Sequence, residues 1–325
     1  MLQNTSVMIT GGTGSFGQAF IKRLLEKDEV RKIIVFSRDE LKQYEMRTKF
    51  SSPKIRYFLG DVRDYSRLLQ ATYEVDYIIH AAAIKHVEAA EYNPMEAINT
   101  NILGAQNIVN SAIVNNVKKV IALSTDKAAS PANLYGATKL CSDKIMVAGN
   151  ILSGSRTTRF ASVRYGNVVG SRGSVIPFFL SKACEASVPI TDVRMTRFWL
   201  TIEHGVNFVL DSLNNMVGGE IFIPKIPSFK VIDVATILRP NIPTKIIGIR
   251  PGEKLHEIMI TEDDAKYTYE FEDRYAILPA HVVNSIGEGR YGSKVDEDFT
   301  YTSLNNKLWF DYNSFRNLLK KSGIL

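Results

Sequence analysis

Thr5-Ser6-Val7-Met8-Ile9-Thr10-Gly11-Gly12-Thr13-Gly14-Ser15-Phe16-Gly17 is the stretch that decides the fold. Its first half is a short apolar run, the composition of a strand buried on both faces. Glycines at 11, 14 and 17 follow at once, and Gln18 to Leu25 then carry a helical pattern. Strand, glycine loop and helix in that order make a dinucleotide cradle. The glycines permit a tight turn, close approach of the backbone to a pyrophosphate, and close packing of helix on strand. The first N–H groups of the helix point at the phosphates. Thr13, Ser15 and Phe16 complete the loop and are expected to line the cofactor.

Further strands succeed one another downstream. Ile33-Ile34-Val35-Phe36 runs into Ser37-Arg38-Asp39-Glu40, where cofactor choice is made. Arg38 can pair with a 2′-phosphate, with Ser37 and Lys42 assisting and Asp39 alongside, so NADP is expected rather than NAD. Residues 55–59 form a third strand. Beyond it Asp61 can accept from an adenine amino group and Val62 can pack on the ring. Tyr77 to His80 lead into Ala81-Ala82-Ala83, whose small side chains let the backbone approach the ribose and nicotinamide side. Lys85 and His86 follow at the crevice edge, either one within reach of a substrate. Glu88 to Ser111 are helical in pattern, with Asn101 directed toward the cofactor. Val120 to Leu123 give a fifth strand, Phe160 to Arg164 a sixth and Gly219 to Pro224 a seventh. Tyr165 and Asn167 leave the sixth strand's carboxyl end, where Asn167 offers both a donor and an acceptor. The expected fold is α/β: a doubly wound parallel Rossmann sheet over residues 1–170, with elements returning at about 201–224. A smaller substrate-binding region takes up most of 171–325 and interleaves with the sheet. After residue 262 the sequence offers little beyond a C-terminal helix near Tyr312–Lys321.

The chemistry is expected in Ser124-Thr125-Asp126-Lys127-Ala128-Ala129-Ser130-Pro131-Ala132-Asn133-Leu134-Tyr135-Gly136-Ala137-Thr138-Lys139. Its first residues leave the carboxyl end of the fifth strand, which in an open α/β sheet faces the ligand crevice. With a helix starting near Leu134, Tyr135 and Lys139 share one face on successive turns. A phenol titrates near 10, too high for a base at neutral pH. A lysine cation one turn away is expected to lower it. Arg250-Pro251-Gly252-Glu253-Lys254 adds an arginine beside a rigid turn, suited to a phosphate fork.

Composition bounds the rest. The 325 residues are 45% apolar and 23% charged, an ordinary globular balance. The absence of a long uncharged apolar run or a signal-peptide pattern predicts a cytoplasmic protein with no membrane span. Cys141 and Cys184 lack metal-ligand spacing, and no metal is expected. The net charge of +6 comes from basic residues spread along the chain. It fits a cleft for an anionic nucleotide and a phosphorylated cofactor better than a nucleic-acid surface.

Thr10 to Gly17, Tyr135 and Lys139 resemble the extended short-chain dehydrogenase/reductases that act on nucleotide sugars. Ser37 to Lys42, His80 to Ala83, Ser124 to Ala129, Arg164-Tyr165-Gly166-Asn167-Val168, Met195-Thr196-Arg197-Phe198 and Arg250 to Lys254 narrow the match. Together they look like the inverting UDP-N-acetylglucosamine 4,6-dehydratases that open pseudaminic acid synthesis, over about residues 5–260. The resemblance implies catalytic roles for Asp126, Lys127, Tyr135 and Lys139. Tyr135 would take the C4 hydroxyl proton, Lys127 the C5 proton, and Asp126 would protonate the departing C6 hydroxyl. Lys127 occupies the place where retaining relatives commonly carry Glu, which motivates inversion at C5. A base role for Lys127 needs a neutral amine, so burial or a nearby cation is expected to lower its pKa. The resemblance further implies UDP-N-acetylglucosamine as partner, held by Lys85, Thr125, Asn167, Val175, Arg197, Arg250 and Glu253. It also implies cofactor contacts from Lys85, Tyr135, Lys139 and Tyr165, and a homo-oligomer. Other readings are a dehydratase of an L-fucosamine-type route, a 4-epimerase, and a catalytically silent NADP-binding scaffold.

Overall fold

A computed structural model describes residues 2–171, 173–181, 186–283 and 292–325. Cys184 lies outside them. Strand β1 (Ser6–Thr10) is buried along its whole length. The glycine loop leads into helix α1 (Ser15–Lys27). Then come β2 (Lys32–Ser37), β3 (Ile55–Leu59), β4 (Tyr77–His80), β5 (Lys119–Leu123) and β6 (Arg159–Val163). All are short runs rich in Ile, Val and Phe, and β1, β4 and β6 are almost wholly covered by helices on both faces, as parallel strands require.

The strand order is β3-β2-β1-β4-β5-β6, followed by Ile221–Pro224, every neighbouring pair being parallel. The order reverses between β1 and β4. That is the switch point outside whose carboxyl ends an open α/β sheet binds its ligand. Gly11 sits there at φ +64°, and an added Cβ would lie 2.9 Å from the Ala82 Cα. Only glycine combines that left-handed backbone with so close an approach of the two strand ends.

The last third of the chain adds to the sheet. Arg274–Ile277 pairs antiparallel with Ile221–Pro224, and Thr268–Glu270 and Ser293–Lys294 continue outward to make ten strands among the described residues. The segment after 262, silent as sequence, thus contributes to the large sheet as well as to the smaller region.

That smaller region has its own apolar cluster. Thr196–Leu200 pairs with Ser228–Lys230 and Asn167–Val168. The C-terminal helix Tyr312–Lys321 inserts Phe315 between Phe229 and Trp199, with ring centroids 4.4 and 5.3 Å away. The expected helix from Glu88 to Ser111 is interrupted. It runs as Val87–Tyr92, Pro94–Ile98, a π-helical turn Asn99–Leu103 and Gly104–Val114. Pro94 has no N–H to continue the first segment. The π turn brings Asn101 around to the Ile84 backbone, a local distortion of the kind found at functional sites. Among the described residues no helix is long and apolar enough to cross a membrane.

Candidate active site

The strand ends assemble the cradle anticipated for a dinucleotide. Gly14 is the N-cap of α1, receives no side-chain cap among the described residues, and is followed by a first turn without an acidic residue. Uncapped N–H groups and an unopposed helix dipole suit a pyrophosphate. Gly17 faces Gly12 so closely that a Cβ would stand 2.5 Å from it, which lets α1 pack on the loop carrying Thr13, Ser15 and Phe16. Thr10 Oγ1 accepts from the Ala81 and Ala82 N–H groups at 3.2 and 3.3 Å and bonds His80 Nδ1 at 2.8 Å. Burial drives the His80 pKa down to about 3, so its ring is neutral.

At the end of β2, Ser37 accepts from Gln43, and Asp39 caps the helix Glu40–Lys49 while pairing with Lys42 at 2.6 Å. Arg38 is exposed, 3.7 Å from Asp61. Asp61 is held chiefly by Arg63, at 2.7 Å. Burial pushes the Asp61 carboxyl up, but its bonds with Arg63 outweigh this and keep it low. Val62 is buried against Gly104. Asn101, expected to be directed toward the cofactor, is hydrogen-bonded within the protein. Its amide accepts from Ile84 N at 2.8 Å, donates to Ile84 O at 2.9 Å and to Thr138 Oγ1 at 2.9 Å. It therefore fixes the backbone between Ala83 and Lys85.

The reacting groups gather beyond β5. Asp126 to Ala128 form one 3₁₀ turn, and Asn133 caps the helix Leu134–Leu152 by accepting from Gly136 N at 2.8 Å. An added Cβ at Gly136 would collide with the Lys127 carbonyl, so glycine lets this helix seat directly on the catalytic turn. Lys127 Nζ donates to Asp126 Oδ1 at 3.0 Å, and Thr125 Oγ1 donates to the same oxygen at 3.0 Å. Thr125 also acts on the Tyr135 phenol, favouring its ionised form. Ser124 donates to Asp143 at 2.8 Å, which Arg164 also approaches. Asp126 N donates to the carbonyl of buried Tyr165 at 3.2 Å.

A second segment closes over this cluster. Lys254 Nζ donates to Ala129 O at 2.7 Å, and Asn133 donates to Gly252 O at 2.9 Å. These bonds dock the Arg250–Lys254 turn on the catalytic stretch and carry Glu257 into it. Glu257 is 2% exposed, with Oε1 3.1 Å from Lys127 Nζ and 3.4 Å from Arg197 Nε. Arg197 spends its other nitrogens on the carbonyls of Thr196, Lys254 and Leu255. Sequence reading stopped at Lys254 and missed Glu257; its signal was a carboxylate in the apolar-flanked run Leu255-His256-Glu257-Ile258, just past the turn.

The electrostatics depart from expectation at two residues. Burial pulls Lys127 down, but the carboxylates of Asp126 and Glu257 outweigh it, so its pKa is raised and it rests as an ammonium. The expected lowering of Lys127 is therefore not found. Burial raises the Tyr135 phenol, opposed by the charge of Lys127 and by Thr125. The charge of Lys127 is thus one cation that acts on Tyr135. Lys139 is itself buried and lowered by burial, against the carboxylate of Asp143. Burial pushes the Asp126 carboxyl up despite Lys127. Burial pushes Glu257 the same way, but Lys127 and Arg197 outweigh it and hold Glu257 low.

The remaining anticipated substrate residues are spread around this centre. Asn167 Oδ1 is buried with no hydrogen-bond partner among the described residues, as are Asp126 Oδ2 and Glu257 Oε2. Val175 opens the helix Val175–Ser181 beside the smaller region's core. Arg250 is exposed and paired with Glu253 at 2.6 Å and Glu88 at 3.4 Å.

Comparison with known proteins agrees with this architecture. Residues 7–279 match the family described as polysaccharide biosynthesis protein. The chain is 58% identical over 320 residues to the UDP-N-acetylglucosamine 4,6-dehydratase (inverting) of Campylobacter jejuni, covering 95% of each chain. It is 41% identical over 319 residues to a UDP-glucose 4-epimerase of Rickettsia massiliae, covering 94% of this chain and 93% of that one. The X-ray structure of Pen from Bacillus thuringiensis superposes with a TM-score of 0.91 at 34% identity, over 100% of this chain and 99% of that one. The chain belongs to the polysaccharide biosynthesis protein family of extended short-chain dehydrogenase/reductases, among the inverting UDP-N-acetylglucosamine 4,6-dehydratases.

Proposed function

We propose that the protein is a hydro-lyase that dehydrates UDP-N-acetylglucosamine across C5–C6 and inverts C5. The observation that carries this reading is the Asp126–Lys127 pair, bonded at 3.0 Å, with Thr125 on the same Asp126 oxygen and the charge of Lys127 acting on Tyr135. An acid, a cation and a phenol at one strand end are what C4 oxidation and C5–C6 elimination need together. The product is UDP-2-acetamido-2,6-dideoxy-β-L-arabino-hex-4-ulose, and the reaction would open pseudaminic acid synthesis.

The cradle fits NADP. Uncapped α1, the glycine loop and Ala81 to Ala83 would hold its pyrophosphate and ribose side, and exposed Arg38, with Ser37 and Lys42, its 2′-phosphate. When bound, NADP would supply the hydride-accepting and hydride-donating chemistry needed at C4 and C6. Tyr135 takes the C4 hydroxyl proton. The resulting 4-ketone acidifies C5, Lys127 removes that proton, and Asp126 gives its own to the departing C6 oxygen. Asp126 suits the acid role because burial favours its protonated form. The proton on Tyr135 then returns to Asp126 through the Thr125 hydroxyl. Asn167 and Arg250 would hold the UDP portion, Asn167 through its buried, unpartnered oxygen. We place the enzyme in the cytoplasm as a homo-oligomer, with residues 1–170 mainly binding cofactor and 171–325 mainly substrate.

The 41% identity to a protein named UDP-glucose 4-epimerase favours a second reading, 4-epimerisation. An epimerase needs Tyr135 and the cofactor but no acid and base for elimination. Lys127→Ala separates the two. Dehydration should fall by about 10²-fold or more, the usual weight of general acid–base catalysis. Turnover of UDP-N-acetylglucosamine to its C4 epimer at an undiminished rate would establish the epimerase instead.

A further inference from the structure

We infer that Glu257 serves Lys127 as its proton acceptor, taking a proton from Nζ so that a neutral amine can act at C5. The inference deepens the dehydratase reading and rests on it. Its ground is geometric. Glu257 Oε1 lies 3.1 Å from Nζ, close enough for direct transfer, and the carboxylate is 2% exposed. Its Oε2 is buried without a hydrogen-bond partner among the described residues. A carboxylate kept that dry is costly as a charge, and although Lys127 and Arg197 keep it ionised at rest, its unsatisfied oxygen leaves room for a transferred proton. Asp126, the other carboxyl against Nζ, is committed to the leaving hydroxyl, so the two acids divide the work.

The charged and titratable groups around Nζ are Asp126 on its own turn, Tyr135 on the helix above, and Glu257, Arg197 and Lys254 from the docked segments. In the resting site Lys127 is an ammonium and Glu257 a carboxylate. Transfer breaks one N–H bond and forms one O–H bond, leaving an uncharged amine beside an uncharged acid. Burial opposes both charges while their mutual attraction holds the resting ion pair, so the neutral pair is a minor form drawn on as C5 gives up its proton. The amine then takes the C5 proton and becomes an ammonium again, while Glu257 holds the transferred proton. C5 later receives a solvent proton on its other face, and Glu257 releases its own to solvent. The pair returns to its starting charge with no proton gained or lost.

The test uses the full chain and the C5 epimer of the 4-keto product, which keeps the substrate's C5 configuration, so that its C5 proton lies on the Lys127 face and exchanges with solvent without the earlier steps. Wild type, Glu257→Gln, Glu257→Asp and Lys127→Ala are incubated with it in D2O, and deuterium at C5 is followed by NMR. UDP binding and melting temperature report the fold. Glu257→Gln should bind UDP as wild type does yet exchange C5 about 10²-fold more slowly. Its rate should rise continuously with pH as bulk base removes the lysine proton. Glu257→Asp, which keeps the acid, should recover part of the rate and a flatter profile. Should Glu257→Gln fail to fold, the Glu257→Asp profile against wild type decides alone. Wild-type exchange in folded Glu257→Gln, or in Glu257→Asp an unchanged profile, would overturn the role of Glu257. Wild-type exchange in Lys127→Ala would instead overturn Lys127 as base, so the two failures are distinguishable.

Discussion

Lys127 shows how far a residue's neighbours decide its chemistry. Its identity was legible as sequence, but its protonation was not, because the deciding carboxylate arrives from residue 257, far along the chain. Tyr135 carries the same lesson: the charge of Lys127, brought near it by the fold, acts on its phenol, and burial raises it. Two predictions belong at this scale. Tyr135→Phe removes the phenol that the mechanism uses and should lower dehydration by about 10²–10⁴-fold. UDP binding should be unchanged, and isothermal titration of UDP beside a rate assay checks both. Arg38→Ala should weaken NADP by about tenfold to a hundredfold, the worth of hydrogen bonds to a charged group, and leave NAD nearly untouched. Fluorescence titration with each dinucleotide reads the ratio, and equal losses for both would place Arg38 away from the 2′-phosphate.

Elements were legible where their residues repeat a simple rule. Strands β1, β4 and β5 could be read from their apolar runs, and a helix start near Leu134 is where the structure has it. The interrupted segment from Val87 to Val114 could not, because its break depends on Asn101 reaching the Ile84 backbone, a tertiary contact. Gly136 gives a prediction for the catalytic helix. Gly136→Ala should force the helix off the Lys127 carbonyl, costing about 1–3 kcal/mol by overpacking. Activity should fall along with the melting temperature. His80 links β4 to β1 through Thr10 and gives a pH prediction. The folded histidine stays neutral down to about pH 3, whereas an unfolded one takes a proton near 6.5. The unfolded state therefore binds more protons in between, and stability falls as pH drops below about 6.5, by at most about 1.4 kcal/mol per unit. His80→Asn should be less stable at neutral pH but lose less on acidification. Urea unfolding at pH 7 and pH 5 measures the difference.

At the scale of the molecule, the Rossmann half was legible and the last third was not. Thr268–Glu270, Arg274–Ile277 and Ser293–Lys294 join the sheet through antiparallel pairing with one another and with Ile221–Pro224, and short strands of that kind carry little pattern of their own. The C-terminal helix was legible, but its burial of Phe315 against Trp199 and Phe229 shows only in three dimensions. Phe315→Ala should cost about 3–5 kcal/mol. The loss should fall on the smaller region first, so that UDP binding weakens more than NADP binding at a temperature where both remain measurable.

The central claim is that one strand end couples C4 oxidation to loss of water and inversion at C5. Incubation of the protein with UDP-N-acetylglucosamine in D2O, followed by proton NMR, tests it most directly. The account predicts a new C6 methyl signal, one deuterium at C5 and the couplings of the L-arabino 4-keto sugar. A methyl signal with the original C5 configuration, or a C4 epimer with no methyl at all, would contradict it.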